Sequence, residues 1–363
     1  MRILFLAAFG RCNKQTVGRR LLPLARAMAA RGHVVELLIP RWDCPDAAQG
    51  STEVRGLRVR TLSPGPGAGG VYPWLGLRVW RAVRAFAPDW LIVSKGLGYA
   101  GLAMRAWLNR GGRAVLDVDD LEDARGWGAT RPRLIQRILA RQEARLARDA
   151  SGIIVASHFL ATHWRQQSGH SPSDVHYCAN GLTPAVAPAP VAENPPHVLL
   201  LTRGHDVDER MLRRVWPAIL ARVPEARLLI AGGWETAPTL PQSTRLGWLH
   251  EAAYIQTLRK AALALFLPPD TPLVRAKSPA RLLDCLAQGL PVATLDVGDY
   301  AALASVAGGT IVATEEDLVS WTVTSLRSPH SRAMQGREIW RRADAHSWPR
   351  RAAALDAWLA TLL

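Results

Sequence analysis

Apolar runs alternate with amphipathic segments from the start of the chain. The run RILFLAAF has the continuous hydrophobicity of a strand that is covered on both faces. Residues 18–31 then place apolar side chains at helical spacing, Gly32 ends this helix, and VVELLIP forms the next apolar run. We interpret this strand–helix–strand order as the beginning of a parallel sheet, because parallel strands need a crossover connection.

The alternation continues on both sides of one interruption. Residues 182–196 are rich in Pro and Ala, carry no core pattern and are typical of an interdomain linker. The pattern predicts the α/β class, with two Rossmann-like, doubly wound parallel-sheet domains that face a cleft. We place the first domain at residues 1–185, with six or more strands, the second domain at 186–345, and a final amphipathic helix at 346–363.

The composition agrees with two folded domains. The 363 residues are 48% apolar, which provides for substantial cores and excludes a disordered chain. The four cysteines lie far apart without the spacing of metal ligands, so we predict a reducing, cytoplasmic environment and no metal site. No apolar run is long enough to span a bilayer. A short signal peptide at residues 1–12 is an alternative, but a buried first strand explains this run better.

Positive charge is concentrated in the first domain. Residues 1–190 contain 26 Lys and Arg against 13 Asp and Glu, whereas residues 191–363 contain 19 against 17. This asymmetry indicates an anionic partner, such as a membrane surface, a phosphorylated acceptor or nucleic acid. An Arg-rich genome is the alternative explanation, because Arg greatly outnumbers Lys in this chain.

One predicted helix, residues 129–149, carries five arginines on one face, because they follow one another at steps of three or four residues. We predict that this face docks on anionic lipid at the inner side of the membrane, and a solvated helix face is the alternative. No helix-turn-helix, zinc-ligand set or RNP motif is present, so no nucleic-acid partner is expected. The five residues are Arg133, Arg137, Arg141, Arg145 and Arg148.

The strongest candidate site is the segment AKSPARLLDCLAQGLPVAT at residues 276–294. Ser278 and Pro279 are typical of the N-cap and first position of a helix, and a helix N-terminus attracts anions. Two cations and a carboxylate on one helix face suit a nucleoside diphosphate, whereas a solvated face with an Arg–Asp pair is the alternative. This predicted polar face consists of Lys277, Arg281, Asp284 and Gln288.

Two further loops follow predicted strands, which is where ligands bind in open α/β sheets. Arg203 has the geometry to grip a diphosphate, and Gly204 lets the backbone approach a ligand closely. Gly10 follows the first strand and leaves room for a bound sugar or phosphate, although no G-x-G-x-x-G or P-loop pattern surrounds it. A surface arginine and an ordinary turn glycine are the alternatives.

The acidic stretch DVDDLED follows another predicted strand. Paired carboxylates suggest a metal or general-base work, and Asp119 or Asp120 is a candidate for a catalytic or acceptor-binding role. The alternative is structural, because strand alternation places Asp117 and Asp119 on one face and the others can cap the next segment.

Several of these segments resemble the large retaining GT-B glycosyltransferase family, family 4. KSPARLLDCLAQGLPVAT is the most specific, since it resembles the family's donor-site helix K-x-P-x-[KR]-x-x-E followed by A-x-G-x-P-V. The opening strand, glycine loop and helix ending in RGHVV, and the Asn180–Gly181 pair that closes the first domain, resemble the family as well. The resemblance covers nearly the whole chain, and it implies that the helix at 346–363 packs back on the first domain.

The resemblance also implies roles for individual residues. Asp284 falls where the family has the Glu that holds the donor ribose, Lys277 and Arg203 fall in diphosphate-binding regions, and Gly10 falls in the glycine loop. The negative charge of the leaving diphosphate would be offset by Lys277, Arg203 and the helix N-terminus rather than by a metal. The predicted donor-binding residues are Gly10, Arg203, Gly204, Lys277, Ser278, Arg281 and Asp284, and the predicted catalytic residues are Lys277, Arg203 and Asp120.

The sequence departs from the family pattern at three places. The first glutamate of the family's pair is replaced by Ala276, and the second by Asp284. The residues HDVDER after Arg203 supply no lysine, and the DVDD stretch stands where the family often has a histidine. No catalytic histidine is therefore assigned, and an inactive or donor-altered relative is an alternative.

These observations predict a hexosyltransferase that moves a sugar from a nucleotide-sugar donor to an acceptor. We expect retained anomeric configuration, no metal or other cofactor, a donor-binding second domain and a basic, acceptor-binding first domain. The expected setting is cell-envelope polysaccharide or glycolipid synthesis in the cytoplasm. A nucleotide-sugar epimerase on the same frame and a basic nucleic-acid-binding protein are the alternatives.

Overall fold

A computed structural model of the chain shows two compact units. It describes residues 1–10, 15–40, 50–54, 56–63, 71–123, 125–130, 132–189 and 195–362. Unit 1 comprises Met1–Gly181, Ala276–Ser278 and Trp348–Leu363, and unit 2 comprises Leu182–Arg275 and Pro279–Ser347. The predicted α/β class with two parallel-sheet domains is confirmed. The sequence did not predict that residues 276–278 belong to unit 1.

An eight-stranded sheet forms the centre of unit 1. Its strands are β1 (Arg2–Leu6), β2 (Val34–Pro40), β3 (Gly50–Val54), β4 (Leu57–Leu62), β5 (Trp90–Ser94), β6 (Ala114–Val118), β7 (Gly152–Val155) and β8 (Val175–Tyr177). They are ordered β3-β4-β2-β1-β5-β6-β7-β8, and all neighbours run parallel except β3 and β4. The central strands β5, β6 and β7 are buried along their whole length, as expected for a parallel sheet covered on both faces.

Helices cover both faces of this sheet. A π-helical turn at Val17–Leu21 leads into α1, and α1 and α13 pack on one face. The helices α2, α3, α4 and α5 pack on the other face. Their bounds are α1 (Leu22–Ala29), α2 (Val71–Phe86), α3 (Gly98–Leu108), α4 (Arg133–Asp149), α5 (His158–Gln167) and α13 (Trp348–Thr361).

Unit 2 has a six-stranded sheet. Its strands are β9 (His197–Leu201), β10 (Arg227–Ala231), β11 (Ser243–Gly247), β12 (Leu263–Phe266), β13 (Val292–Leu295) and β14 (Thr310–Val312). They are ordered β11-β10-β9-β12-β13-β14, and every pair is parallel. All six strands therefore end at the same edge of the sheet.

The helices of unit 2 also lie on both sides of its sheet. Trp216 of α6 and Leu318 of α11 belong to the core on one face, and α9 and α10 contact β13. The bounds are α6 (Glu209–Leu220), α7 (Glu251–Lys260), α8 (Pro272–Arg275), α9 (Ala280–Ala287), α10 (Asp299–Val306), α11 (Glu315–Arg327) and α12 (Pro329–Arg342).

Two predicted helix starts are wrong. The helix predicted from residue 129 begins at Arg133, because Pro132 holds an extended backbone and a separate 3₁₀ turn occupies Trp127–Thr130. The helix predicted to be capped by Ser278 begins at Ala280, with Pro279 at the cap position and no side-chain cap. Both differences arise at prolines, whose fixed φ permits either a helix start or an extended approach to it.

Candidate functional site

The carboxyl edge of the unit 2 sheet gathers the candidate residues of that unit. The adjacent strands β9, β10 and β11 are followed there by Thr202–Gly204, Gly232–Trp234 and Trp248. Ligands of open α/β sheets bind at this edge, because backbone groups and helix N-termini are directed toward it.

Asp206 is the acceptor that connects the loop after β9 to helix α9. Its Oδ1 accepts hydrogen bonds from the Thr202 hydroxyl at 2.6 Å and the Arg203 backbone N–H at 2.8 Å. Its Oδ2 accepts one from Nη1 of Arg281 at 2.8 Å. Burial alone would raise the pKa of Asp206, but Arg281 and these hydrogen bonds outweigh burial and lower it below its ordinary value. Asp206 is therefore ionised at neutral pH, although no pattern in the sequence singled it out.

Arg203 and Gly204 lie against two tryptophans. The Arg203 guanidinium stands 5.2 Å from the ring centroid of Trp248, whose side chain is exposed. Gly204 has a φ of 89°, and a Cβ at this position would come within 2.7 Å of the Trp234 ring. The backbone conformation and the ring thus both require glycine at residue 204.

Helix α9 places its polar residues beside different partners. Arg281 pairs with Asp206, whereas Asp284 accepts a hydrogen bond from the Tyr254 hydroxyl at 2.8 Å. The structure thus brings Arg203, Gly204 and Arg281 together around Asp206, while Asp284 lies with α7. The two charged side chains of the predicted polar face that lie on α9, Arg281 and Asp284, have protein partners, so a bound phosphate would share Arg281 with Asp206.

Residues 276–278 belong to unit 1. Ser278 Oγ accepts a hydrogen bond from the Asn180 backbone N–H at 2.8 Å, and the Asn180 side-chain amide donates to the Ser278 carbonyl at 3.0 Å. Ala276 is fully buried in the unit 1 core, and the Lys277 ammonium stands 4.9 Å from the ring centroid of Trp127. The Ser278 hydroxyl therefore fastens this segment to the end of the first domain instead of capping α9.

Asp120 belongs to a buried ionic cluster that the sequence analysis missed. Lys95, fully buried after β5, lies 2.9 Å from Asp119, 3.0 Å from Asp120 and 2.7 Å from Glu122. Burial alone would lower the pKa of Lys95, but the three carboxylates outweigh it and raise the pKa well above its ordinary value. The available signal was a lysine directly after an apolar strand in a chain that has few lysines.

Arg20 and Asp117, near the end of β6, form a second buried ion pair. The Arg20 guanidinium donates to both carboxylate oxygens of Asp117, and it reaches the Cys178 carbonyl at 2.9 Å. Asp117 and Asp119 thus have different partners, although strand alternation placed them on one face. Gly10 is buried after β1, and residues 11–14 of its loop lie outside the described residues. Within the described ranges, no group of three or more His, Cys, Asp or Glu is placed to hold a metal ion.

Comparison with known proteins finds a matching family model for part of the chain and solved structures that share its fold. Residues 17–186 match the model of the family Glycosyltransferase Family 4. Sucrose-phosphate synthase from Thermosynechococcus elongatus is 14% identical, with a TM-score of 0.72 over 100% of this chain and 99% of that one. Anabaena HepE, solved in complex with UDP, is 14% identical, with a TM-score of 0.65 over 99% and 100%.

One similar structure carries a different activity in its name. It is a UDP-N-acetylglucosamine 2-epimerase by its description, from Listeria monocytogenes, and is 12% identical with a TM-score of 0.56 over 97% of this chain and 94% of that one. Among curated proteins, no sequence matches the chain. At these identities the structural matches establish the fold, which is GT-B.

Proposed function

We propose that this chain, which has the GT-B fold and matches the family 4 model at residues 17–186, is a glycosyltransferase that transfers a hexose from a nucleotide-sugar donor. The observation that carries the proposal is the arrangement around Asp206, which accepts hydrogen bonds from the Arg203 backbone N–H and the Arg281 guanidinium at the carboxyl edge of the unit 2 sheet. The Arg203 guanidinium lies against Trp248 near the same edge. Guanidinium groups at such an edge suit a diphosphate, since guanidinium binds phosphate oxygens bidentately.

The donor contacts follow from this arrangement. Arg203 and the N-terminus of α9 would hold the diphosphate, with Arg281 shared between it and Asp206. Asp284 would accept hydrogen bonds from the ribose hydroxyls. Gly204 has no side chain, so the donor could approach the backbone of this loop closely. HepE was solved with UDP and with UDP and glucose, which supports a nucleotide donor of this kind.

Catalysis would rest on charge stabilisation. Arg203 and Lys277 would offset the negative charge that develops on the departing diphosphate, so the proposed reaction needs no metal. Asp120, held by Lys95, would contact the acceptor on unit 1. Retained anomeric configuration is part of the proposal and rests on the resemblance to family 4.

Donor binding can be tested by thermal shift with a panel of nucleotide sugars, because a ligand stabilises the folded state as it saturates the site. We expect one nucleotide series to raise the Tm, and Arg203→Gln to abolish most of that increase. Arg213→Gln is the matched control, because Arg213 is exposed and pairs with Glu209 on α6. If no nucleotide sugar shifts the Tm, or if both variants respond like the wild type, the proposal is wrong.

The reaction itself separates the remaining alternatives. Slow release of free sugar from the donor without acceptor, undiminished by a chelator, is the expected result for a metal-independent transferase. Conversion of the donor to its epimer with the nucleotide still attached would instead favour the epimerase, which one structural match supports. The anomeric configuration of the first product, read by NMR, decides between retention and inversion.

We further propose that the protein works in the cytoplasm at the inner face of the membrane, in cell-envelope polysaccharide or glycolipid synthesis. The support is the position of the five α4 arginines, all of which are exposed. Among the described helices, none is long and apolar enough to cross a membrane. Binding of acidic vesicles at low salt tests this part, and a protein that stays in solution would contradict it.

A further inference from the structure

Three helices of unit 1 form one outward-facing layer. Helix α3 lies between α2 and α4 and contacts both. Their inner faces share one core with β1, β5 and β6 through residues such as Val79, Met104 and Leu146. The opposite faces of all three helices therefore point away from the sheet on the same side of the unit.

This layer exposes six large apolar side chains. Their exposed fractions range from 39% to 71%. Single exposed apolar residues are ordinary on a protein surface, whereas a group of them on adjoining elements marks an interaction site. We call this group the apolar cap; it consists of Trp74 and Leu77 on α2, Leu102 on α3, and Leu134, Ile135 and Ile138 on α4.

The apolar cap lies toward one edge of the sheet. Each of the three helices follows a strand of the parallel part of the sheet, so each begins at the carboxyl edge. Every residue of the cap falls in the first half of its helix, from Trp74 in Val71–Phe86 to Ile138 in Arg133–Asp149. The cap is therefore close to the edge at which ligands of open α/β sheets bind.

Arginines lie beside the cap and farther along the same helices. Helices α2 and α3 contain no acidic residue, and α4 contains Glu143, which is buried, and Asp149 at its last position. Arg105 is half-buried and the other arginines are exposed. The arginines are Arg78, Arg81 and Arg84 on α2, Arg105 on α3, and Arg133, Arg137, Arg141, Arg145 and Arg148 on α4.

We propose that the apolar cap inserts into the interfacial region of an anionic bilayer, with the surrounding arginines at the headgroups. Apolar side chains beside arginines on one helical face are the combination that holds a protein in the plane of a membrane interface. The proposal deepens the electrostatic docking of α4, and it does not depend on sugar transfer. It orients unit 1 so that the carboxyl edge of its sheet is near the lipid surface.

A nucleic acid fits this surface less well than lipid does. Phosphate backbones attract arginine, but they offer no apolar phase for exposed Leu and Ile side chains. Charge alone would give binding that high salt abolishes, because salt shortens the Debye length and screens interactions between exposed charges that are farther apart than that length. Burial of the apolar cap adds a contribution that salt does not screen. Salt-resistant binding is therefore the property that distinguishes insertion from surface attraction.

The first experiment measures flotation of the full chain with vesicles of phosphatidylglycerol and phosphatidylcholine, at low and at high salt. We expect the wild type to keep a salt-resistant bound fraction, and Leu134→Ser/Ile138→Ser to lose it while retaining low-salt binding. The control, Ile311→Ser/Met334→Ser, changes exposed apolar residues of unit 2 and should bind like the wild type. Release of the wild type by salt, or equal behaviour of the two double variants, would overturn the proposal.

The second experiment reports insertion directly, with vesicles whose acyl chains carry bromine, which quenches tryptophan fluorescence on contact. We expect quenching of the wild type to fall in Trp74→Phe and to persist in Trp248→Phe, an equally exposed tryptophan of unit 2. Equal quenching in both variants would exclude the cap as the inserted surface. Donor hydrolysis without vesicles should be unchanged in Leu134→Ser/Ile138→Ser, so loss of insertion and loss of transferase function are distinguishable.

Discussion

Asp206 shows how one carboxylate organises a candidate anion site. It fixes the backbone of Arg203 and the guanidinium of Arg281 at the same time, although these residues are far apart in the chain. Local patterning identified Arg203, Gly204 and Arg281 because each follows a strand or lies on a helix face. It could not identify Asp206, because its role depends on contacts made only after the sheet and α9 have assembled.

Replacement of this carboxylate should weaken donor binding. In Asp206→Asn the amide can keep one or two of the hydrogen bonds but not the charge, and we expect a loss of about 1–2 kcal/mol, or roughly a tenfold rise in the donor KM. The effect on kcat should be smaller, because in the proposed site Asp206 acts through Arg203 and Arg281, which would contact the donor themselves. Glu209→Gln, at the partly exposed start of α6, is the control. An unchanged KM in steady-state kinetics would contradict this role.

The buried ammonium of Lys95 compensates the charge of three carboxylates. Removing the ammonium in Lys95→Met leaves Asp119, Asp120 and Glu122 around a site without a cation, and breaking such a buried pair costs about 3–5 kcal/mol. We expect amide exchange in β5 and β6 to accelerate accordingly. Lys260→Met, at the exposed end of α7, should leave exchange near the wild-type rate. A Lys95 variant that exchanges like this control would show that the cluster contributes no net stability.

At the scale of elements, the contact between β8 and α13 depends on a histidine that is held neutral. The rings of His176 and Trp358 are stacked with centroids 5.0 Å apart, and the Trp358 indole donates to the Ser173 carbonyl at 2.7 Å. Burial, followed by the positive charges of Arg20 and Arg351, lowers the pKa of His176 from 6.5 to about 4. Between pH 6.5 and about 4, His176 is therefore mostly neutral in the folded protein and mostly protonated in the unfolded chain.

The sign of the pH dependence follows from this difference. Between pH 6.5 and about 4 the unfolded state gains a proton at His176 and the folded state does not, so stability falls as the pH falls, by up to about 3 kcal/mol. His176→Phe keeps a ring against Trp358 and should flatten the pH profile of the unfolding free energy in this window. His330→Phe, on the exposed face of α12, should retain the wild-type slope. Equal slopes in all three proteins would refute the assignment.

Elements were predictable where periodicity is strong. The apolar runs that became β1, β2, β5, β7, β9 and β12 are long and continuous, and burial on both faces requires that pattern. The edge strand β3 escaped prediction because it is mostly exposed and polar, so no alternation marks it. The predicted cap at Ser278 failed for a different reason: the hydrogen bond with Asn180 is tertiary, and local capping preference cannot foresee it.

For the whole molecule, alternation predicted two parallel sheets but not how the chain is shared between the units. Unit 1 takes residues 276–278 and α13 from the far end of the sequence. Helix α13 contributes five buried side chains to the core that includes β1, β2 and α1: Trp348, Ala352, Leu355, Trp358 and Leu359. The resemblance to family 4, rather than periodicity, indicated where this final helix packs.

Deletion of α13 should therefore damage the first domain and spare the second. A chain ending at Ser347 should show faster amide exchange in β1, β2 and α1, while β9 and β10 keep their protection. The milder Leu355→Ala should cost about 2–5 kcal/mol, as expected for a buried leucine, and Ala357→Ser on the exposed side of α13 should cost little. Equal exchange of the two units after deletion would contradict this division.

The position of α13 at the end of the sequence affects the order in which the two units can complete folding during synthesis. Translation completes every residue of unit 2 before it reaches α13, although most of unit 1, including β1, is translated before unit 2. Until α13 has been synthesised, the apolar surface of the first domain that α13 covers stays exposed. Such surfaces promote aggregation or recruit chaperones. We therefore expect the later half of this protein to mature first, in the reverse of the usual vectorial order.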